Sequence, residues 1–194
     1  MDNQQPNQHM LLIGKTGSGK TYLVRAALKA GRFGTRVMVL DIQNQYDEIP
    51  LVELEQILEK PPNENSAFYL RIIPDDDDDI SDFFSIALAL GNVVVIAEEV
   101  ADYTHNAALL KLLRRGRSED VTVIAVSQRP ADVHKTVTSQ VATSIVFHTD
   151  EPRDLEYLYK KFGMETTQEV KSLNTAKYEH AVWGDLSVYD KFFR

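Results

Sequence analysis

The sequence predicts an α/β fold: a mostly parallel β-sheet flanked by helices, with a short β addition at the C-terminus. Three observations predict it. Short β-rich runs alternate with helical segments along the chain. Several of these runs are continuously apolar, as expected of strands buried on both faces in a helix-covered parallel sheet. The 194 residues suffice for one domain with a proper core, and no internal repeat or linker divides them, so 1–194 reads as a single domain.

In chain order, the expected strands are Met10–Ile13, Val37–Leu40, Phe68–Ile73, Val93–Ala97, Val121–Val126 and Ser144–Phe147. Lys20–Ala30 reads as a helix with Leu23, Val24, Ala27 and Leu28 on one face and Gly31 as its stop. Ile80–Leu90 and Tyr103–Leu113 read similarly. Five consecutive aspartates, Asp75 to Asp79, read as a solvated loop whose last members favour the start of the next helix; a cation site is the lesser reading. Pro152 suits a first helical position, and Leu155, Leu158, Tyr159 and Phe162 form a stripe that Gly163 ends. Lys177 to Phe193 reads as one or two short strands around a turn at Gly184-Asp185. Strands alternating with helices imply right-handed crossovers.

Composition excludes several classes. No run approaches the roughly 20 apolar residues that span a membrane. The opening MDNQQPNQH lacks the layout of a signal peptide, so a cytoplasmic protein is the default. With no cysteine, disulfides and thiolate metal sites are excluded. A net charge of −8 argues against coating nucleic acid with the whole surface, though not against a local basic patch. His9, His134, His148 and His180 show no metal-ligand spacing.

GKTGSGKT at 14–21 fits GxxxxGK(S/T). Gly14, Gly17 and Gly19 let the backbone bend tightly and approach an anion. The N–H groups of Lys15, Thr16 and Ser18 join theirs around the phosphates at the start of a helix, where the dipole favours negative charge. Lys20 reaches the β- and γ-phosphates, and Thr21 is a Mg²⁺ ligand. ATP with Mg²⁺ is therefore the expected cofactor pair.

VVVIAEEV at 93–100 is a buried strand ending in acids. Alone it reads as a solvated strand end. Beside a phosphate loop, Glu98 is assigned to the metal and Glu99 to the attacking water. After a third buried strand, Gln128 is placed to contact the γ-phosphate or that water. Lys111, Arg114, Arg115 and Arg117 close the preceding helix, where cations complement the dipole. An arginine finger supplied to a neighbouring subunit is the functional alternative.

Together these motifs resemble the HerA/FtsK superfamily of DNA-pumping ATPases. The match rests on GKTGSGKT, Asp41-Ile42-Gln43-Asn44-Gln45-Tyr46, Glu98-Glu99-Val100-Ala101-Asp102, Arg114 to Arg117 and Ser127-Gln128-Arg129-Pro130, across roughly residues 10–150. Arg117 is the best match to the family's finger, with Arg114 next. The family usually has Asp then Glu at the acidic strand end, where this chain has two Glu. A second register, with Ala97 at the metal position and Glu98 as catalytic acid, stays open. The resemblance implies a P-loop NTPase of RecA/ASCE-like fold: a homo-oligomeric ring that hydrolyses ATP and translocates double-stranded DNA. The chain is little more than a motor, and in this it looks like the genome-packaging ATPases of tailless icosahedral viruses with internal membranes. That likeness implies partners at the capsid vertex, and a place in the host cytoplasm or on the virion. The competing readings are a conjugation or DNA-repair pump of the same superfamily and a nucleotide-dependent switch that binds no DNA. Lys135 and His105 are positional candidates for DNA contact. Trp183 and the late tyrosines read as packing residues.

Overall fold

The structure is a computed structural model and describes residues 8–63 and 66–194. The polar opening segment, 1–7, lies outside the described residues. Among the described residues, seven strands form one sheet: β1 (Met10–Ile13), β2 (Arg36–Leu40), β3 (Phe68–Ile72), β4 (Val93–Ala97), β5 (Val121–Ser127), β6 (Thr143–Phe147) and β7 (His180–Gly184). Their order is β3-β2-β4-β5-β1-β6-β7, and every neighbouring pair is parallel except β6 with β7. The antiparallel β7 is the expected C-terminal β addition.

The helices are α1 (Lys20–Lys29), α2 (Leu54–Glu59), α3 (Asp77–Leu90), α4 (Ala107–Arg115), α5 (Lys135–Gln140), α6 (Pro152–Phe162), α7 (Met164–Ser172) and α8 (Leu186–Phe193). They cover both faces of the sheet. Side chains of a strand alternate between faces. Met10, Leu12, Ile124, Val126 and Ile145 meet Val24, Ala27 and Leu28 of α1 and Val188, Tyr189 and Phe192 of α8. Leu11, Ile13, Val95, Ala97 and Val123 meet the apolar faces of α2 to α7. All four residues of β1 have no exposed surface, which accounts for the unbroken apolar runs.

Every expected strand from β1 to β6 is present, with ends shifted by a residue or less. The aspartate run behaves as its helix-start reading requires. The Asp76 side chain accepts hydrogen bonds from the N–H groups of Asp78 and Asp79, capping α3 three residues earlier than expected. Pro152 opens α6 and Gly163 closes it.

The tail is a correction. Only its first half is a strand; Leu186–Phe193 is a helix, capped by the Asp185 carboxylate on Ser187 N–H. Val188, Tyr189 and Phe192 recur at helical spacing and are buried. That spacing prevails over the strand preference of Val, Tyr and Phe. The Gly184 turn stands: φ is 106°, and a Cβ there would lie 2.1 Å from the Ala142 carbonyl oxygen. No helix among the described residues is long and apolar enough to cross a membrane.

Candidate nucleotide site

β1 runs directly into the phosphate loop, and α1 leaves it. Gly14 has φ 149°, and a Cβ there would lie 2.7 Å from Cβ of Phe147 on β6. The loop is therefore wedged against the sheet and has no room for a side chain at its entry. Gly19, at φ 110°, leads into α1, whose first turn carries no acidic residue. Its N-terminal dipole is thus open to an anion. Lys20 is buried and donates from Nζ to the carbonyls of Gly14 (2.7 Å) and Lys15 (3.1 Å). Burial lowers its pKa, while Glu99 and Glu98 pull it back up. At the loop's outer edge Lys15 pairs with Asp150 at 2.8 Å, an exposed contact of small energetic weight.

The sheet order sets the spacing opposite the loop. β5 lies between β1 and β4, so the acidic end of β4 stands two strand spacings from the loop, roughly 10 Å. That gap leaves room for a terminal phosphate and a water. Glu99 leaves β4 with φ 49°, a left-handed conformation uncommon for a side chain of this kind. It is held by Val100 N–H on the Val126 carbonyl (2.8 Å) and Asp102 N–H on its own carbonyl (2.9 Å). Its carboxylate accepts from Nε2 of Gln128 and from Nε2 of Gln43. Gln128 in turn accepts from the Thr16 hydroxyl. Thr16, Gln128 and Glu99 therefore form one hydrogen-bonded chain from phosphate loop to acidic strand. They line a cavity of about 300 Å³ together with Gly17, Gly19, Lys20 and Thr21.

Glu98 faces elsewhere. It is 4% exposed and accepts from the Tyr46 hydroxyl, while Tyr103 donates to its backbone carbonyl. Burial pushes its carboxyl up to about 7; Tyr46 and Lys20 oppose the rise, and Glu99 and Asp41 add to it. The segment after β2 delivers Tyr46. Asp41, fully buried, accepts from the N–H groups of Gln45 (2.8 Å) and Tyr46 (3.0 Å) and pairs with Arg71 at 2.9 Å.

Thr21 and Glu99 bring oxygen donors to the cavity, a set that suits Mg²⁺, while the Glu98 carboxylate is engaged by the Tyr46 hydroxyl. Among the described residues the buried Ser18 hydroxyl has no hydrogen-bond partner, an unmet need that a bound phosphate would satisfy.

A family model described as "ATPase family associated with various cellular activities (AAA)" matches residues 10–149. The chain belongs to this AAA family. Its ATPase activity, expected from the phosphate loop and the acidic strand, agrees with that membership. This AAA chain is 28% identical over 160 residues to Protein P9 of Pseudoalteromonas phage PM2, across 72% of the chain and 67% of that relative. It is 26% identical over 160 residues to the DNA packaging ATPase P9 of Enterobacteria phage PRD1, across 79% of the chain and 70% of that relative. Its fold is shared with the genome packaging NTPase B204 of Sulfolobus turreted icosahedral virus 2, solved in complex with AMPPCP. The TM-score is 0.75 at 23% identity, covering 94% of this chain and 95% of that one.

Within the AAA region, the structure gathers Gly14 to Thr21, Glu98, Glu99 and Gln128. It does not bring Arg114 and Arg117 to them. Arg114 lies in the last turn of α4, and Arg117 in the 3₁₀ turn Gly116–Glu119 before β5. Both are therefore at the N-terminal edge of the sheet, opposite the loop. Seven residues of β5 separate the two edges by roughly 20 Å. Lys135 opens α5, and the His105 ring meets that of His134 at 4.7 Å.

Three residues at the site escape a reading of the sequence for roles. Gln43 on Glu99 and Tyr46 on Glu98 come from the segment after β2, whose motif was visible but whose targets depend on β2 pairing with β4. Tyr178, expected to pack, packs on the phosphate loop itself and lines the cavity. Trp183 and Tyr189 do pack internally, Trp183 stacking on Phe162.

Proposed function

We propose that this ATPase is a single-domain motor, 1–194, that moves double-stranded DNA into a preformed viral capsid. The observation that carries the reading is the chain Thr16–Gln128–Glu99 across the mouth of the phosphate loop. It stands in a protein similar to the DNA packaging ATPase P9 of phage PRD1. Backbone N–H groups of 14–21 and the Lys20 ammonium hold the phosphates. Thr21 would hold Mg²⁺, joined by Glu98 once it is released from the Tyr46 hydroxyl, and the ion would supply charge neutralisation at the phosphate oxygens. Glu99, facing the cavity, orients and deprotonates the attacking water. Gln128 touches both the loop and Glu99, so it reports the terminal phosphate to the carboxylate that acts on it. Both glutamates are buried, but Glu99 lines the cavity and meets Gln128, which favours this register over the one with Ala97 at the metal position.

Arg117, with Arg114 beside it, acts in trans in a homo-oligomeric ring, since neither can reach its own loop. Partners at the capsid vertex and a place in the host cytoplasm or on the virion complete the proposal. ATP hydrolysis with and without double-stranded DNA, comparing the wild-type protein with Glu99→Gln, tests it. DNA-stimulated turnover that drops by about 10²-fold or more in the variant, with ATP still bound, is the expected result. Turnover indifferent to DNA would instead support the switch reading.

A further inference from the structure

We infer that Tyr22 and Tyr178 form the platform on which the nucleobase of the bound triphosphate lies, so that the C-terminal segment completes the nucleotide site. The inference rests on the nucleotide-binding part of the reading above and adds the base, which the phosphate loop does not address.

Tyr22 directly follows Thr21, and its ring is 59% exposed. Tyr178 is 41% exposed and arrives from 156 residues further along the chain. The two rings stack at 4.5 Å between centroids with planes 29° apart. Both line the cavity that holds Lys20 and Thr21. The other lining side chains are Thr16, Gln43, Gln45, Glu99 and Gln128, all polar. The aromatic pair is the cavity's one apolar wall. A triphosphate seated in the loop leaves its base to lie beyond the first turn of α1, where these rings are.

Tyr178 is positioned with care. Its backbone is left-handed, φ 53°, and its N–H donates to the Thr175 carbonyl at 3.1 Å. The next strand fixes its carbonyl, 3.1 Å from Nδ1 of His180, whose Nε2 contacts the Tyr189 hydroxyl at 2.8 Å. The ring rests on Gly19, where an added Cβ would lie 2.6 Å from its Cδ1. A ring held before binding loses little freedom when a base stacks on it. Residues 150–194 lie outside the AAA match, and Tyr178 is their contribution to the cavity.

Stacking reads a π-face and not a base edge, so ATP and GTP should bind alike. The test is calorimetric titration of the full chain, with Mg²⁺, by ATP, GTP and inorganic tripolyphosphate. Tyr22→Ala and Tyr178→Ala should each bind ATP roughly 10- to 100-fold more weakly, leaving tripolyphosphate within about two-fold. Tyr178→Phe should retain ATP binding, which separates the ring from the hydroxyl. Equal losses for ATP and tripolyphosphate would overturn the proposal, since the rings would then only shape the loop. Unchanged ATP binding in both alanine variants would overturn it as well. Wild-type protein that binds both ligands but hydrolyses nothing on DNA would sink the motor reading and leave the platform standing.

Discussion

Glu98 and Glu99 are neighbours in sequence, yet the end of β4 gives them opposite surroundings. Glu98 points inward to the Tyr46 hydroxyl, and Glu99 turns out to Gln43 and Gln128 through a left-handed residue. The inward carboxyl has a consequence for stability. Its folded pKa of about 7 exceeds the ordinary 4.5, so the folded state holds the proton more tightly than the unfolded chain does. Stability therefore falls as pH rises through that window. At about 1.4 kcal/mol per pH unit, the cost reaches roughly 3 to 4 kcal/mol above pH 7. Glu98→Gln removes this cost, and its amide oxygen still accepts from Tyr46. The variant, free of nucleotide, should melt at a higher temperature than wild type at pH 8 and at nearly the same temperature at pH 5. Equal shifts at both pH values would show that the carboxyl ionises in the fold without cost. A second residue-scale prediction concerns Gly19. Gly19→Ala adds a Cβ at φ 110°, 2.6 Å from Cδ1 of Tyr178, so the loop or the ring must shift. ATP affinity should drop at least about 10-fold, read by calorimetry, a loss of about 1.4 kcal/mol.

Among the elements, the segment after β2 links packing to chemistry. Asp41 is buried, and Arg71 from β3 neutralises it while also bonding the Ile49 carbonyl and Asn44. These contacts fix the turn that presents Gln43 and Tyr46 to the two glutamates. Arg71→Leu leaves a buried carboxylate uncompensated, which costs about 3 kcal/mol or more. The variant should show a lower urea midpoint and slower hydrolysis. Adding Asp41→Asn should recover much of the stability but not the rate, because the turn then loses its anchor. Unchanged hydrolysis in Arg71→Leu would mean that the turn holds without the ion pair. Such dependencies mark where the sequence is readable. The phosphate loop is local: eight contiguous residues state their own geometry. β1 to β6 are legible because burial on both faces leaves unbroken apolar runs. Contacts such as Gln43 on Glu99 are hidden, since they exist only once β2 lies beside β4. α8 was masked by its composition, because Val, Tyr and Phe favour strands until α1 offers a surface at helical spacing.

Across the whole molecule, the sheet has two edges with different charges to deliver. The phosphate loop, Glu99 and Gln128 occupy the C-terminal edge of the parallel strands. Arg114 and Arg117 occupy the N-terminal edge, with Arg117 close enough to the buried His9 to depress its pKa further. His9 accepts from Val123 N–H at 3.0 Å, and its other ring nitrogen lies 3.1 Å from the Leu113 carbonyl. It thus ties the end of α4 to β5 and fixes the turn that carries Arg117. On the proposed trans role, a finger at this far edge would serve another copy of the chain, in a head-to-tail arrangement that a ring would close. Complementation between two inactive variants tests this directly. Arg117→Ala keeps an intact carboxylate, and Glu99→Gln keeps an intact finger. Each alone should hydrolyse ATP at least about 10²-fold more slowly than wild type on DNA. In an equal mixture, random assembly pairs a working carboxylate with a neighbour's working arginine at roughly a quarter of the interfaces. The mixture should therefore regain up to about that fraction of wild-type turnover. Mixtures no more active than the separate variants, under conditions where they co-assemble, would rule out a trans role for Arg117. Repeating the mixture with Arg114→Ala then decides whether its neighbour in the last turn of α4 carries the charge instead.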